Sequence, residues 1–560
     1  MRFILSEYIT LLKEDGELDA LLSDLLVGMK ITPLSLPEKG RQHGVDIAAV
    51  GIDPEDRKRK VFLFVVKQGN LTRSNWDSKV NSVRPSLNEI KDVYINSMLE
   101  SKYADLRIKI VVATNGEIGQ NVQINWKQYI DENTAEKRTY EFWGTGKIVS
   151  MLDNYLISEK LFPGEYQSLL RKTLAFIELS DYNFSHFYEL LNQILNENEK
   201  QKQKILKKLR LVRLCLNILF KWSQDINNLK PAILASERCM LLAWDWIAKN
   251  KHFDKDYVKK EYYLIFSLKR RIGITFFNKV VSHYTTQHSI YRYSKNNLEY
   301  SLNCWEHVGI LSTIGLAELQ EFRFLLASGK EEEAKVLLKS SEIITNTLAS
   351  FIVNNPPLNT PIYDEHSIEI ALALRLLWIT GKKQSARNWI NNIVISLHNN
   401  FAIYKTLPLF RTNFDRLVDI NNGDEKSEVD SSMILVILLE YAILLDDSEL
   451  YDEIKSLVKD YLPKLNLQIW FATEEVESFF CSKKYSQSEG TLKHSIEIYE
   501  NLEDYKKEIV EEIDLFIKEE NFEFYSSGFL LIGHIASRHF RAQPFPIYWR
   551  LPIARTLDMP

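Results

Sequence analysis

The chain has 560 residues, of which 45% are hydrophobic and 26% are charged, and its formal net charge is −5. This length exceeds what one hydrophobic core supports, so we expect two to four folded domains and no extended disorder. The negative net charge excludes a uniformly basic DNA-coating protein, although a local basic groove remains compatible with it.

Several features bear on where the protein acts. The four cysteines are far apart and form no CxxC pair, so the sequence predicts neither a structural zinc site nor a disulfide framework. An acid appears as early as Glu7, which is too soon for a signal peptide. The most apolar stretch, 433–445, is short and contains Glu440, which favours a buried helix over a membrane span. We therefore predict a cytoplasmic protein that has no membrane partner.

Helix and strand patterns alternate over residues 1–157, which predicts an α/β domain. The predicted elements, in chain order, are a helix ending near Gly28, an edge strand over 29–36, a strand containing Asp46, a strand ending at Lys67, a helix over 86–99, a strand over 108–113, a helix over 122–130, a strand over 140–143 and a helix over 146–156.

Strand patterns stop after about residue 160, and helical periodicity takes over. Three stretches share the plan of apolar helix, short polar turn and second helix, with turns at 328–329, 381–382 and 446–447. Because their spacing is irregular, we predict an all-α, degenerate array of helical hairpins. The expected domains are an α/β domain over 1–157, a helical linker and first helical subdomain over 158–320, and a helical-hairpin sensor or partner-binding domain over 321–560.

Two charged residues stand beside apolar strands. Asp46 lies in one strand and Lys67 ends the next, where unpaired burial of a charge is costly. If the two side chains share a face, Asp46 can bind a divalent cation. Lys67 can then neutralise charge developing on a scissile phosphate or orient the attacking water. The backbone carbonyl of Val66 is a further hard ligand for Mg²⁺.

Polar residues around these two positions predict contacts to a phosphate backbone. Gln68, Asn70 and Arg73 lie in the polar segment that follows Lys67, and they offer amide and guanidinium donors. Arg41 and His43 precede Asp46 and could also meet phosphate. The alternative for His43 is a solvated loop histidine.

The order helix, three strands, helix, strand, with Asp46 on the second strand and Lys67 ending the third, resembles the PD-(D/E)xK superfamily of restriction-endonuclease-like nucleases. Residues 40–47 look like the loop and strand that carry the metal-binding Asp, and 65–70 occupy the (D/E)xK place. Residues 143–147, followed by an apolar helix, are similar to the closing segment of that domain. The resemblance implies a mixed sheet flanked by helices, a Mg²⁺ or Mn²⁺ cofactor and a DNA substrate.

The chain departs from this family at one important position. Members that cleave usually place Glu, Asp or sometimes Gln where this chain has Val65, and a Val side chain cannot bind metal. Backbone, water and substrate phosphate would then complete the site, or a carboxylate from the first helices would enter it, with Glu7, Glu14 and Glu17 as candidates and Glu17 as our choice. A weakened or rearranged nuclease, a nuclease fold without catalysis, and a structural ion pair all remain open.

A nuclease-like head on a large helical body, without a P-loop, resembles the effectors of bacterial anti-phage and restriction systems. The resemblance implies DNA as substrate and a protein partner for the helical region, such as an ATPase encoded elsewhere. Such nucleases often pair to cut both strands, which would require a homo-oligomer. The alternative is a catalytically inactive module that holds DNA or a partner as a scaffold.

Overall fold

The protein is described by a computed structural model. It describes residues 5–6, 9–10, 12–34, 43–78, 82–156, 164–179, 182–409, 417–419, 429–472, 477, 481, 491–516 and 522–555. The chain divides into two compact units, of which the first comprises 1–197 with 201–228 and the second comprises 198–200 with 229–560. The expected boundaries after 157 and 320 do not coincide with this division. Helices beyond 157 belong to the first unit, and residue 320 lies inside a continuous helix of the second.

A five-stranded mixed sheet forms the centre of the first unit. Its strands are β1 (Thr32–Pro33), β2 (Ile47–Ile52), β3 (Arg59–Lys67), β4 (Arg107–Thr114) and β5 (Arg138–Trp143). They pair in sequence order, antiparallel from β1 to β3 and parallel from β3 to β5. The predicted mixed sheet is therefore confirmed. Of the edge strand expected over 29–36, residues 32 and 33 form a strand and 29–31 do not, while 35 and 36 lie outside the described residues.

Helices cover the sheet and extend the first unit beyond it. The α-helices are α1 (Asp19–Gly28), α2 (Arg73–Asp77), α3 (Val83–Glu89), α4 (Gln120–Asn133), α5 (Thr145–Met151), α6 (Gly164–Phe176), α7 (Ser185–Ile194) and α8 (Lys202–Asp225). π-Helical turns occur at Glu14–Leu18, Ile90–Met98 and Leu152–Leu156, and a 3₁₀ turn occurs at Ser101–Tyr103.

One face of the sheet packs against an aromatic layer. Side chains alternate along β3, so Leu63 and Val65 point to the same face and are fully buried there. Trp76 of α2 lies against them and makes edge-to-face contacts with Trp126 and Tyr129 of α4, with ring centroids 6.1 and 5.7 Å apart. This core holds β3 and β4 against α2 and α4, and Lys67 and the polar residues after it follow the end of β3.

A buried ion-pair cluster lies where β3 and β4 begin. Lys109 of β4 is only 6% exposed, and its Nζ lies 2.8 Å from Asp53, 2.7 Å from Glu55 and 2.9 Å from Glu141. Lys60 of β3 also binds Asp53, at 2.8 Å. Each buried cation is thus matched by carboxylates, as burial of charge requires.

The second unit is mainly helical. Its helices are α9 (Lys230–Lys249), α10 (Asp256–Tyr284), α11 (Asn297–Ala327), α12 (Glu331–Asn354), α13 (Ser367–Ile379), α14 (Lys383–Tyr404), α15 (Ile434–Leu445), α16 (Ser448–Ser456), α17 (Leu502–Phe516), α18 (Glu523–Ser526), α19 (Leu531–Phe540) and α20 (Ile547–Arg555). Shorter turns occur at Ser289–Tyr293, Pro356–Asn359, Asp364–His366 and Leu457–Tyr461.

The three predicted hairpins of the second unit are present. They are formed by α11 with α12, α13 with α14, and α15 with α16. Each turn contains one residue in the left-handed region: Gly329 at φ 72°, Gly381 at φ 74° and Asp446 at φ 58°. Glycine adopts this conformation without a steric penalty and aspartate tolerates it better than most residues, which is why these turns could be predicted from sequence.

The prediction that strands are absent beyond residue 160 is wrong. A small three-stranded sheet lies in the second unit, formed by β6 (Ser431–Ser432), β7 (Asn466–Phe471) and β8 (Thr491–His494). With only six residues, two of them polar, β7 is too short for periodicity to distinguish a strand from part of a helix. The coarser description, a large and mostly helical second part of the chain, holds.

Two apolar helices of the second unit bear on the membrane question. By length and composition alone, α12 could cross a membrane, but core helices of water-soluble proteins pass the same test. The shorter α15 is buried, as predicted, and its Glu440 receives hydrogen bonds from the indole of Trp549 at 2.6 Å and from Nε of Arg550 at 2.9 Å. Arg550 also reaches Glu512 at 2.6 Å, so the C-terminal segment is tied into the second unit.

Candidate active site

Asp46 is positioned by a tight turn that leads into β2. His43 and Gly44 both have positive φ, at 49° and 82°. A Cβ on Gly44 would lie 2.3 Å from the carbonyl oxygen of Ser86, so only glycine fits between this turn and α3. The turn delivers Asp46 to the end of β2 that adjoins the end of β3.

The carboxylate of Asp46 is directed at β3. The ladder pairs Ala48 with Leu63, so by alternation Asp46 shares a face with Val65 and Lys67. Its Oδ2 accepts a hydrogen bond from the backbone N–H of Val66 at 2.6 Å. Burial raises the pKa of Asp46, and this hydrogen bond and the charge of Lys67 oppose that rise without cancelling it.

Lys67 forms its ion pair with Glu14. Its Nζ lies 2.7 Å from Oε1 of Glu14, in the helical turn that precedes α1, and the backbone N–H of Gln68 lies 3.3 Å from Oε2. The Lys67 side chain is 16% exposed and that of Glu14 is 36% exposed, so the pair is open to solvent on one side. Glu14 is also close enough to Asp46 to raise its pKa. Glu14 is therefore a second carboxylate that contacts Lys67 and acts electrostatically on Asp46.

The other two glutamates proposed for this role lie elsewhere or outside the described residues. Glu17, our choice from sequence, forms an ion pair with Lys221 of α8 at 2.5 Å and accepts the backbone N–H of Lys13 at 2.9 Å. Glu7 is outside the described residues. Sequence alone did not separate Glu14 from Glu17, since Gly16 lies between them with φ 75° and interrupts the helical phase. A helical wheel extended back from α1 therefore does not place them.

Asn115 connects the segments around the candidate site. It follows β4, is 3% exposed, and its Oδ1 accepts the backbone N–H of Gly69 at 2.5 Å. Its Nδ2 donates to three backbone carbonyls of the N-terminal segment, those of Ile9, Thr10 and Leu12, the last at 2.7 Å. One buried amide thus ties the loop after Lys67 to the segment that leads to Glu14.

The polar residues proposed to contact nucleic acid have different surroundings. Gln68 and Arg73 have exposed side chains, and Arg73 stands at the first position of α2 without an ion-pair partner among the described residues. Asn70 is exposed as a residue, but its Oδ1 accepts the backbone N–H of Glu117 at 2.9 Å, which gives it a role in shaping the loop. His43 is partly exposed in the turn before Asp46, whereas Arg41 lies outside the described residues.

The glycine-containing segment at the start of α5 is filled by a side chain of the protein itself. The carboxylate of Glu117 accepts the backbone N–H of Gly146 at 3.2 Å. A Cβ on Gly144 would lie 2.5 Å from the same carboxylate. The carboxylate of Glu117 therefore holds the start of α5 against the loop that follows β4.

The donors present fit part of a magnesium site. Asp46 and Glu14 supply carboxylate oxygens, which Mg²⁺ prefers, and the raised pKa of Asp46 indicates that its negative charge is incompletely balanced. No group of three or more His, Cys, Asp or Glu side chains that could hold a metal ion occurs in the part of the chain that the structure describes. The protein would thus contribute two carboxylates, and water and substrate oxygens would supply the remaining ligands.

Comparisons of the chain with protein-family models, with curated proteins and with solved structures find no match.

Proposed function

We propose that the first unit is a metal-dependent DNA endonuclease of the PD-(D/E)xK type, and that the helical second unit senses a trigger or binds a partner. One observation carries this proposal. Glu14 forms an ion pair with Lys67 at 2.7 Å, beside Asp46, and so brings a second acid to a site that lacks one at position 65. Two carboxylates and one lysine, partly open to solvent at adjoining strand ends, suit hydrolysis of a phosphodiester.

Asp46 and Glu14 would hold the metal ion, together with the carbonyl of Val66. A bound Mg²⁺ or Mn²⁺ supplies a nucleophilic water and offsets charge on the phosphate. Lys67 keeps a cation at the position where charge develops on the scissile phosphate, and the hydrogen bond from Val66 N–H fixes the direction of the Asp46 carboxylate. The exposed Gln68 and Arg73 are available to bind the phosphate backbone of DNA.

The setting of such an activity follows from the rest of the chain. A nuclease joined to a large helical body, without a P-loop, fits an effector of a bacterial anti-phage or restriction system that acts in the cytoplasm. The helical second unit would then receive a protein partner, such as an ATPase, or another copy of the chain. This part of the proposal rests on domain organisation alone.

A second candidate is a nuclease-fold module that binds DNA or a partner without cutting. Val65 favours it, as does the lack, among the described residues, of a cluster of three or more side chains able to hold a metal. In that case the Glu14–Lys67 ion pair would serve only to fasten the N-terminal segment to β3. Binding would be salt-sensitive and would weaken on loss of Arg73 or Lys67.

Incubation of the purified chain with supercoiled plasmid, over a series of Mg²⁺ and Mn²⁺ concentrations, separates these candidates. We expect metal-dependent nicking or linearisation that Asp46→Ala and Lys67→Ala each abolish. Asp131→Ala and Lys127→Ala change the same residue types on the exposed surface of α4 and should leave cutting intact. Cutting that survives both site substitutions refutes the nuclease proposal, whereas salt-sensitive binding without any cutting supports the second candidate.

A further inference from the structure

Arg375 of α13 is a buried cation for which the described residues supply no hydrogen-bond acceptor to Nε or Nη1. The residue is 7% exposed, and its Nε and Nη1 atoms are buried without a hydrogen-bond partner. Its guanidinium stacks on the ring of Trp378, with the central carbon 5.2 Å from the ring centroid. Burial of a guanidinium without an acceptor is unfavourable, because the group loses its hydrogen bonds to water and forms no new ones.

Other buried arginines of the second unit show how such a group is normally accommodated. Arg550 is fully buried and bonds to Glu440 and Glu512. Arg538 is 7% exposed and binds both carboxylate oxygens of Glu237, at 3.0 and 2.6 Å. The missing acceptor at Arg375 is therefore a local exception within the unit.

The surroundings of Arg375 are cationic or neutral. The groups with the largest electrostatic effect on it are Tyr441, Tyr525, Tyr548 and a second arginine, Arg323, with no carboxylate among them. His534, 7% exposed, stacks on Tyr548 with ring centroids 3.7 Å apart. Burial lowers the pKa of His534 well below its ordinary value, and Arg375 and Arg323 lower it further. None of these groups supplies a counter-charge to Arg375.

A small cavity adjoins this group. Arg375 and His534 both line it, together with Tyr441, Ser537 and Trp549, and its volume is about 10 Å³. Space of this size admits one small atom or ion, on the order of a single water molecule. A halide, or one oxygen of a larger oxyanion, would fit where an acceptor is missing.

We propose that Arg375 and His534 form a binding site for a small inorganic anion inside the helical second unit. The anion accepts hydrogen bonds from the Arg375 guanidinium, and Arg323 adds a second positive charge nearby. Chloride is only slightly larger than a water molecule and would occupy the cavity as a whole ion, whereas inorganic phosphate would insert one oxygen. Binding would lock α13 to α19, the helix that carries His534, and so make the stability of this unit depend on anions.

Thermal unfolding in sodium gluconate, sodium chloride and sodium phosphate at one ionic strength tests the site. We expect chloride or phosphate to raise the unfolding midpoint of the wild-type chain by about 3 °C, with saturation, as a ligand that binds only the folded state does. Arg375→Met should lose this rise. Arg387→Met removes a surface arginine that pairs with Asp447 and Glu449, and it should keep the rise.

The behaviour in gluconate gives a second criterion. Arg375→Met removes an uncompensated buried charge, so we expect its midpoint to be no lower than that of the wild type. Arg550→Met, in contrast, strips two carboxylates of their partner and should melt earlier. An equal anion response in Arg375→Met, or no saturable rise in the wild type with either anion, overturns the proposal and assigns the cavity to water.

Should Arg375→Met fail to fold, the wild-type chain still decides the matter. Anomalous scattering from crystals grown in sodium bromide, or a phosphate-shaped density in crystals grown in sodium phosphate, locates a bound anion directly. We expect the anion beside the Arg375 guanidinium. A cavity without either anion in both crystals refutes the site.

Discussion

Asp46 and Asp53 flank the same strand, β2, but they stand in opposite electrostatic surroundings. Asp46 has one backbone hydrogen bond and no ion pair among the described residues, and burial raises its pKa. Burial alone would also raise the pKa of Asp53, but hydrogen bonds from Lys109 and Lys60 bring it below its ordinary value. The ionised carboxylate of Asp46 therefore lowers the stability of the fold, whereas that of Asp53 raises it.

We expect Asp46→Asn to raise the unfolding midpoint at neutral pH while it abolishes cutting. A carboxyl with a raised pKa in the folded state destabilises the fold as pH rises through that raised value, because the native state must give up a proton it holds more tightly. The amide keeps an acceptor for Val66 N–H but removes the charge. Thermal unfolding from pH 4 to pH 8, alongside plasmid cutting, measures both effects. A lower midpoint at neutral pH would show that the charge is structural.

Asp53→Asn is the corresponding substitution at the other end of β2, and we expect the opposite effect. The pKa of Asp53 is lowered in the folded state. Its contribution to the free energy of unfolding is therefore present above the ordinary pKa and is lost as the pH falls through the lowered pKa. Breaking this buried ion pair should cost about 3 kcal/mol at neutral pH. Urea unfolding at pH 7 and pH 3 checks the sign. An unchanged free energy of unfolding at pH 7 would contradict the assignment.

Glu14 and Glu17 allow a direct test of which glutamate serves the site. We expect Glu14→Gln to reduce cutting about 100-fold, because it removes the second carboxylate beside Asp46. Glu17→Gln breaks the pair with Lys221, so it should lower stability but retain cutting well below its melting temperature. Initial cutting rates at saturating Mg²⁺ measure the difference. Equal losses in the two variants would remove the special role given to Glu14.

At the scale of elements, the candidate site depends on the side-chain amide of Asn115, which joins two separate segments. Asn115 bonds to the loop after β3 and to the segment before α1, although about a hundred residues separate it from the latter. Asn115→Ala leaves one N–H and several carbonyls without a partner, and should cost about 3 kcal/mol. The exposed Asn125→Ala is the control, with a change within about 0.5 kcal/mol. Urea unfolding measures both, and an equal effect would contradict this role.

The strands and most helices could be predicted because their signals are local. Short, nearly continuous apolar runs located β3 and β4, and glycine or aspartate in polar turns located the hairpins. The contents of the site could be predicted only in part. Asp46 and Lys67 stand out as charges beside apolar strands, whereas Glu14 and Asn115 act through contacts between residues distant in sequence. No periodicity encodes such contacts.

The short sheet β6 to β8 shows the other limit of sequence reasoning. Its longest strand has six residues, and its pairing with β8 spans about twenty intervening residues. Propensity over so short a window is overridden by the packing around it. The same holds for the compact unit that continues past residue 157, since the assignment of α6 to α8 depends on tertiary contacts.

At the scale of the whole molecule, the two compact units should unfold as two transitions. Arg550→Met disrupts a buried ion-pair group of the second unit, and we expect it to lower one transition by an amount that corresponds to about 3–5 kcal/mol. Asn115→Ala should lower the other. Differential scanning calorimetry of both variants assigns each transition to its unit. A single transition that moves equally in both would show that the units unfold together.

Lys109 illustrates a different kind of robustness. Three carboxylates meet its ammonium group, two of them (Asp53 and Glu55) from the connection between β2 and β3 and the third (Glu141) from β5, so Lys109 ties that connection to β5. The exposed acid, Glu55, can change with little penalty, whereas loss of Lys109 would leave the buried Asp53 with one cation fewer and Glu141 with only Lys147. Descendants of this chain should therefore vary at Glu55 while they keep the buried pair of Asp53 and Lys109, at the strand ends opposite Asp46.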